Sequence, residues 1–285
     1  MKQILVPTDF SENALNAYTY ALHIADKLNI GVTTLHTYTV HYFNPADTDL
    51  SALQDMIDNE VDAEFEVYKK AATAFHQHAE KIGLGHISIN HLLRKGFVSD
   101  EVEDVVNNQG IDLVVMGTKG INSLKDVLFG SNTADVVKRV KCPVLTVPAA
   151  CVFKGITKIV YATNCDEHDE KIIDKVYGFA QAFNAPLKCV HVSFLEEAWN
   201  KEKLIEFERL SQKAKEMPML DFEVVESESV LDGLKEYMTQ NEVSIVAMHT
   251  HKRTFFEKIF LSSYTEQMAY HSHLPLLSFG TETSH

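Results

Sequence analysis

The sequence is poor in tryptophan (one residue), cysteine (four) and proline (seven) for its 285 residues, and each scarcity excludes something. Cys142, Cys151, Cys165 and Cys189 are too few to staple a chain of this length, and no two form Cys-x-x-Cys. A disulfide scaffold is therefore excluded, and free thiols in a reducing compartment are expected. Seven prolines and twelve glycines exclude collagen-like and low-complexity chains. No apolar run reaches the ~18–20 residues of a membrane span. Met1–Pro7 leads straight into a strand-like run without an apolar leader and cleavage site, so a cytoplasmic chain is expected. Basic residues are also scarce, 26 against 40 acidic, for a net charge of -14 that divides evenly between residues 1–150 and 151–285. An acidic field without a basic stripe excludes a nucleic-acid surface. It leaves room for one phosphate ligand held locally by backbone amides.

Short apolar runs alternate with helical patterns along the chain. Gln3–Pro7 is followed by Ala14, Leu15, Tyr18, Ala21, Leu22, Ala25 and Leu28 at helical spacing, with Ser11 or Asp9 as the cap. Strands are expected over Gly31–Tyr38, His86–Leu93, Ile111–Met116 and Val144–Val147. The helices between them include one entered from the polar stretch Asn44–Asn59 and one over Ser131–Val140. The second half repeats the order, from Lys158–Ala162 to Ser244–Met248 and Leu276–Phe279. An offset of 132 sets Met116 on Met248, Thr118 on Thr250 and Pro143 on Pro275; an offset of 155 sets Asp9 on Asn164. The expected fold is α/β: two tandem doubly wound domains, 1–150 and 151–285, each a five-stranded mostly parallel sheet with helices on both faces.

Ligands of such sheets bind beyond the carboxyl ends of the strands, where the chain order reverses. Two segments of the first half fall there: Pro7-Thr8-Asp9, and the stretch from Met116-Gly117-Thr118-Lys119-Gly120 to Gly130-Ser131-Asn132-Thr133. Gly117 and Gly120 let backbone approach a ligand, and Gly130-Ser131 opens a helix whose first amides suit a phosphate. Ser131 and Thr133 add hydroxyls. The same glycines also serve as plain turn punctuation, Asp9 as a plain helix cap and Lys119 as a solvated loop lysine.

Gly117-x2-Gly120-x9-Gly130-Ser131, the N-terminal Ile-Leu-Val-Pro-Thr-Asp-Phe-Ser and the Cys-Pro-Val-Leu-Thr-Val-Pro ending at Pro148 resemble the universal stress protein family. The resemblance spans the chain as a tandem. In that family, proteins with this glycine pattern bind ATP. It implies that Pro7, Thr8 and Asp9 flank the adenosine and that Thr37 meets the adenine edge. Met116, Gly117 and Gly120 would follow the ribose and phosphates, with Gly130, Ser131, Asn132 and Thr133 at the phosphates and Mg²⁺ accompanying them. It also implies an internal pseudo-dimer, Val144–Val147 beside Leu276–Phe279, and leaves room for a further homodimer and an unknown protein partner.

The second half departs from the pattern, with His249, Lys252 and Ser262 where the first has Gly117, Gly120 and Gly130. A degenerate second site is expected there. His249-x-His251 and His271-x-His273 converge on a metal in one reading and are ordinary polar histidines in the other; no carboxylate or cysteine spacing supports the metal. His36 and His191 occupy matching places in their halves. No P-loop, nucleophile elbow or catalytic pairing is present, so no catalytic residue is assigned. The expected function is a nucleotide-dependent stress-response module. A slow ATP hydrolase, or a nucleotide-free adaptor with metal at the histidines, are the alternatives.

Overall fold

A computed structural model of the chain describes residues 2–39, 50–118, 130–194, 201–250 and 274–280. The first half runs β1 (Gln3–Pro7), α1 (Glu12–Leu28), β2 (Gly31–Tyr38), α2 (Leu50–Lys81), β3 (Ile89–Lys95), α3 (Val98–Asn108), β4 (Leu113–Gly117), α4 (Ser131–Arg139) and β5 (Val144–Val147). The second runs β6 (Ile159–Ala162), α5 (Asp169–Ala182), β7 (Leu187–Phe194), α6 (Lys201–Glu216), β8 (Leu220–Ser227), α7 (Val230–Gln240), β9 (Ile245–His249) and β10 (Leu276–Phe279).

All ten strands join one sheet in the order β3-β2-β1-β4-β5-β10-β9-β6-β7-β8. Pairing is parallel except at the centre, where β5 and β10 run antiparallel with Leu277 opposite Leu145. Those two strands are the apolar edges that the sequence leaves looking for partners, and each covers the other. Side chains alternate across the sheet. Ile4, Val6, Leu145 and Leu277 pack on one face with α1 and α5, and Leu5, Val114, Val144 and Leu276 on the other with α3, α4 and α7. Both cores run through the β5–β10 seam without interruption.

The internal repeat extends to individual hydrogen bonds. The Thr8 amide donates to the Leu35 carbonyl at 2.9 Å, as the Thr163 amide does to Val190 at 3.0 Å. The Val114 amide donates to Pro143, as that of Val246 does to Pro275. The left-handed residues recur too: Phe10 with Cys165, and Asn29 with Asn184.

Boundaries differ from the sequence reading where polar composition hides regular structure. α2 begins at Leu50, inside the stretch read as polar, because its helix buries only a thin stripe that includes Phe75 and Ala79. β3 starts at Ile89 rather than His86, since the amides of Leu84 and Ile87 close turns onto Ala79 and Leu84. β8 reaches both ends of β7 although charged residues interrupt it, as suits a strand at the sheet's edge.

Candidate functional site

β1 lies between β2 and β4, so successive crossovers leave it in opposite directions and open a crevice at the strands' carboxyl ends. A cavity of about 110 Å³ occupies that crevice. The end of β1 contributes Pro7, Thr8 and Asp9; β2 contributes Leu35, His36 and Thr37; β4 contributes Met116 and Gly117. Ala14 of α1, Val98 of α3, and Asn132 and Thr133 of α4 close the lining. The space is several times the roughly 30 Å³ share of one water molecule.

The turn after β1 is held by its own side chains. Asp9 Oδ1 accepts from the Ser11 amide at 3.1 Å and the Ser11 hydroxyl at 2.6 Å, and Ser11 Oγ accepts from the Ala14 amide at 3.1 Å. Ser11 is thus the cap of α1, and Asp9 orients it while lining the cavity. Between them Phe10 adopts a left-handed φ of 61°, a costly conformation for a bulky residue. It is stabilised by the bond from its amide to Thr8 Oγ1 at 3.0 Å and by ring contacts with His36 at 4.4 Å and Phe75 at 5.9 Å. His36 Nδ1 donates to the Thr8 carbonyl at 2.8 Å, which fixes the proton on that nitrogen because a carbonyl only accepts. His191 repeats the bond to Thr163 at 2.9 Å.

On the opposite side α4 is pinned to the end of β4. The Gly130 amide donates to the Thr118 carbonyl at 2.7 Å, and Thr133 Oγ1 donates to the Gly117 carbonyl at 3.1 Å. Both groups position the helix, so neither donor is available to a phosphate while these bonds hold. The amides of Ser131, Asn132 and Thr133 are first-turn donors with no acceptor inside the helix, and they carry its positive end. Gly130 and Ser131 precede Asn132 and do not line the cavity. A Cβ on Gly117 would fall 2.7 Å from Asn13 Nδ2, so this glycine is a close-approach position. Lys119 and Gly120 lie outside the described residues.

Leu35, His36, Ala14 and Val98 were not assigned to the site from sequence. The matching places of His36 and His191 were the one available signal for His36. Val98 enters from a distant helix that nothing local connects to the crevice.

The equivalent place in the second half is filled differently. Asp169 stands where Ala14 stands in the first and is buried. Its carboxylate accepts from Tyr161 and Thr163 hydroxyls, each at 2.5 Å, and from the Asp166 amide at 3.0 Å. His249, at the Gly117 position, places its ring 5.8 Å from that of His168. A buried carboxylate and an imidazole thus replace a methyl group and a glycine. Lys252, Ser262, His251, His271 and His273 lie outside the described residues, among which no group of three or more His, Cys, Asp or Glu gathers as a metal set.

Burial holds the Asp169 carboxyl above its ordinary value of 3.8, against the lowering by its hydrogen-bond donors. A carboxyl raised on folding stabilises fully below its unfolded value, and that stability is lost as pH rises through the folded one. Asp169→Asn is therefore expected to gain stability relative to wild type as pH rises from about 4 toward neutrality. Urea unfolding of both proteins across that range measures the difference; a constant difference would show that Asp169 ionises as freely folded as unfolded.

The Universal stress protein family model matches residues 1–148 and again residues 155–279. The chain belongs to the universal stress protein family. Universal stress protein Slr1230 of Synechocystis is 22% identical over 299 residues, covering 98% of this chain and all of that protein. Universal stress protein MJ0531 of Methanocaldococcus jannaschii is 29% identical over 148 residues, 51% of this chain and 81% of its own length. Among solved structures, a universal stress protein from Archaeoglobus fulgidus superposes with a TM-score of 0.66 at 18% identity, covering 98% of this chain and 96% of that one. That likeness concerns the tandem fold. Among the described residues no helix is long and apolar enough to cross a membrane.

Proposed function

We propose that this universal stress protein binds one adenine nucleotide, ATP with Mg²⁺, in the crevice of its first half, and that a protein partner in the cytoplasm reads its occupancy during stress. The observation that carries the reading is the convergence of Pro7–Asp9, Thr37, Met116 and Gly117 with the N-terminus of α4 around one cavity. Pro7, Leu35, Val98 and Met116 offer apolar walls to a base, with Thr37 at its edge. Asp9 offers a carboxylate oxygen to ribose hydroxyls, as acidic residues do in other nucleotide folds. The phosphates extend to the first-turn amides of Ser131, Asn132 and Thr133. Mg²⁺ comes on the phosphates, since this cation keeps much of its water and takes few protein ligands.

The second half is read as structural. Its crevice holds the buried Asp169 carboxylate, which disfavours a polyanion, and His249 in place of the glycine. Binding without turnover is the reading because Asp9, the carboxylate lining the cavity, already orients the α1 cap through Oδ1. Calorimetric titration with MgATP is expected to give about one site per chain. Two equivalent sites, or none, would overturn the proposal. A phosphate-release assay on the same sample tests the absence of turnover.

A further inference from the structure

A second cavity, of about 670 Å³, lies at the seam of the halves, beside the starts of β4 and β5 and so at the opposite end of those strands from the nucleotide crevice. Its volume falls within the ~300–1,000 Å³ range of small-molecule sites. Pro143, Phe179, Leu277 and Phe279 supply apolar surface, and Asp112, Lys141 and Lys175 supply charge.

The internal repeat reveals the kind of group this cavity is shaped for. The offset of 155 sets Tyr20 on Lys175 and His23 on Gly178. On α1 that face is covered by the connector that follows β5: Phe153 stacks flat on His23, with centroids 4.2 Å apart and planes within 6°, and meets Tyr20 edge-on at 5.0 Å. Asn16 Nδ2 ties the connector down by donating to the Cys151 carbonyl at 2.7 Å and the Pro148 carbonyl at 3.2 Å. On α5 the same face carries Gly178, where an added Cβ would meet nothing within 4 Å. Among the described residues no ring covers it. The first half fills its slot with its own aromatic ring; in the second, no described residue comes within 4 Å of a Cβ at Gly178.

We propose that the seam cavity is a second ligand site, for a small planar aromatic molecule bearing an anionic group. The ring lies over Gly178 beside Phe179, as Phe153 lies over His23, with the offset or edge contacts that aromatic groups prefer. Lys141 and Lys175 line the cavity and supply positive charge to the anion. Asp112, whose Oδ2 accepts from the amides of Lys2 and Gln3, leaves the lining with two lysines against one carboxylate. The acidic surface elsewhere matters less than these lysines, since charges beyond ~8 Å are largely screened at physiological salt.

The test is a fluorescence titration of the full chain with 8-anilinonaphthalene-1-sulfonate and with its uncharged relative N-phenyl-1-naphthylamine. One dye per chain is expected. Gly178→Trp, whose indole would lie in the slot, is expected to weaken both dyes at least tenfold in a protein that still unfolds cooperatively. Lys141→Ala with Lys175→Ala is expected to weaken the sulfonate several-fold and leave the neutral dye unchanged. Unaltered dye affinity in folded Gly178→Trp overturns the site. Should that variant not fold, the lysine pair decides: equal effects on both dyes, or none, overturn it. Binding seen only after residues 281–285 are removed also overturns it and gives the groove to the chain's own end.

Discussion

Leu145→Lys is expected to lower stability by about 4 kcal/mol or more, the upper range for a single substitution. Leu145 is fully buried and sits in the antiparallel ladder opposite Leu277, within a core that runs across both halves. Removing a buried leucine's packing alone costs roughly 2–5 kcal/mol. An ammonium in its place has no carboxylate in the ladder to pair with, because β5 and β10 contribute only Val, Leu, Thr, Ser and Phe. The melting temperature should fall by roughly 10 °C in a chain of this size. Opening the seam would also bare two apolar edges, so aggregation should accompany unfolding. Differential scanning calorimetry and light scattering measure both. Expression of residues 1–150 and 151–285 as separate chains gives an independent check. They are expected to be poorly soluble alone and to associate when mixed. Two stable monomers without mutual affinity would mean that the β5–β10 ladder contributes little.

The sheet was legible because its strands announce themselves. Runs such as Ile4-Leu5-Val6 and Leu113-Val114-Val115-Met116 are buried on both faces, and parallel strands covered by helices need that continuous apolar character. The α2 boundary and the span of β8 were not legible, since both elements stand at the periphery and bury narrow stripes among charged residues. The site was legible in outline for a different reason: strand ends and glycines mark where backbone must turn. Its detail was not. Thr133 reads from sequence as a phosphate donor, whereas its hydroxyl holds the Gly117 carbonyl and so shapes the crevice indirectly. Ser11 and Asp9 were interchangeable as caps until geometry separated them. Asp169 looks like any acidic residue in the first turn of a helix. Only the three donors that surround it show that it is a buried plug, and two of those, Tyr161 and Thr163, come from β6 and the residue that follows it.

Gly117→Val is expected to weaken nucleotide binding at least about 100-fold, roughly 2.7 kcal/mol, while the chain stays folded. The position ends β4 and lines the cavity. Its new Cβ would stand 2.7 Å from Nδ2 and 2.9 Å from Cγ of Asn13, closer than carbon atoms tolerate. Asn13 is the end of a flexible side chain, so it yields, and the fold survives with little change in unfolding midpoint. The valine methyls and the displaced amide then crowd a cavity of only about 110 Å³. The bond from Thr133 to the Gly117 carbonyl involves backbone at 117 and is retained, so α4 keeps its place and the loss is steric. The reciprocal change separates this explanation from a general need for glycine after the fourth strand of each half. His249→Gly restores the small residue in the second half, but Asp169 remains where Ala14 stands in the first. Stoichiometry should therefore stay at one in His249→Gly. Wild-type affinity in a folded Gly117→Val protein would mean that the nucleotide binds elsewhere, and a second site created by His249→Gly alone would mean that Asp169 does not bar a phosphate.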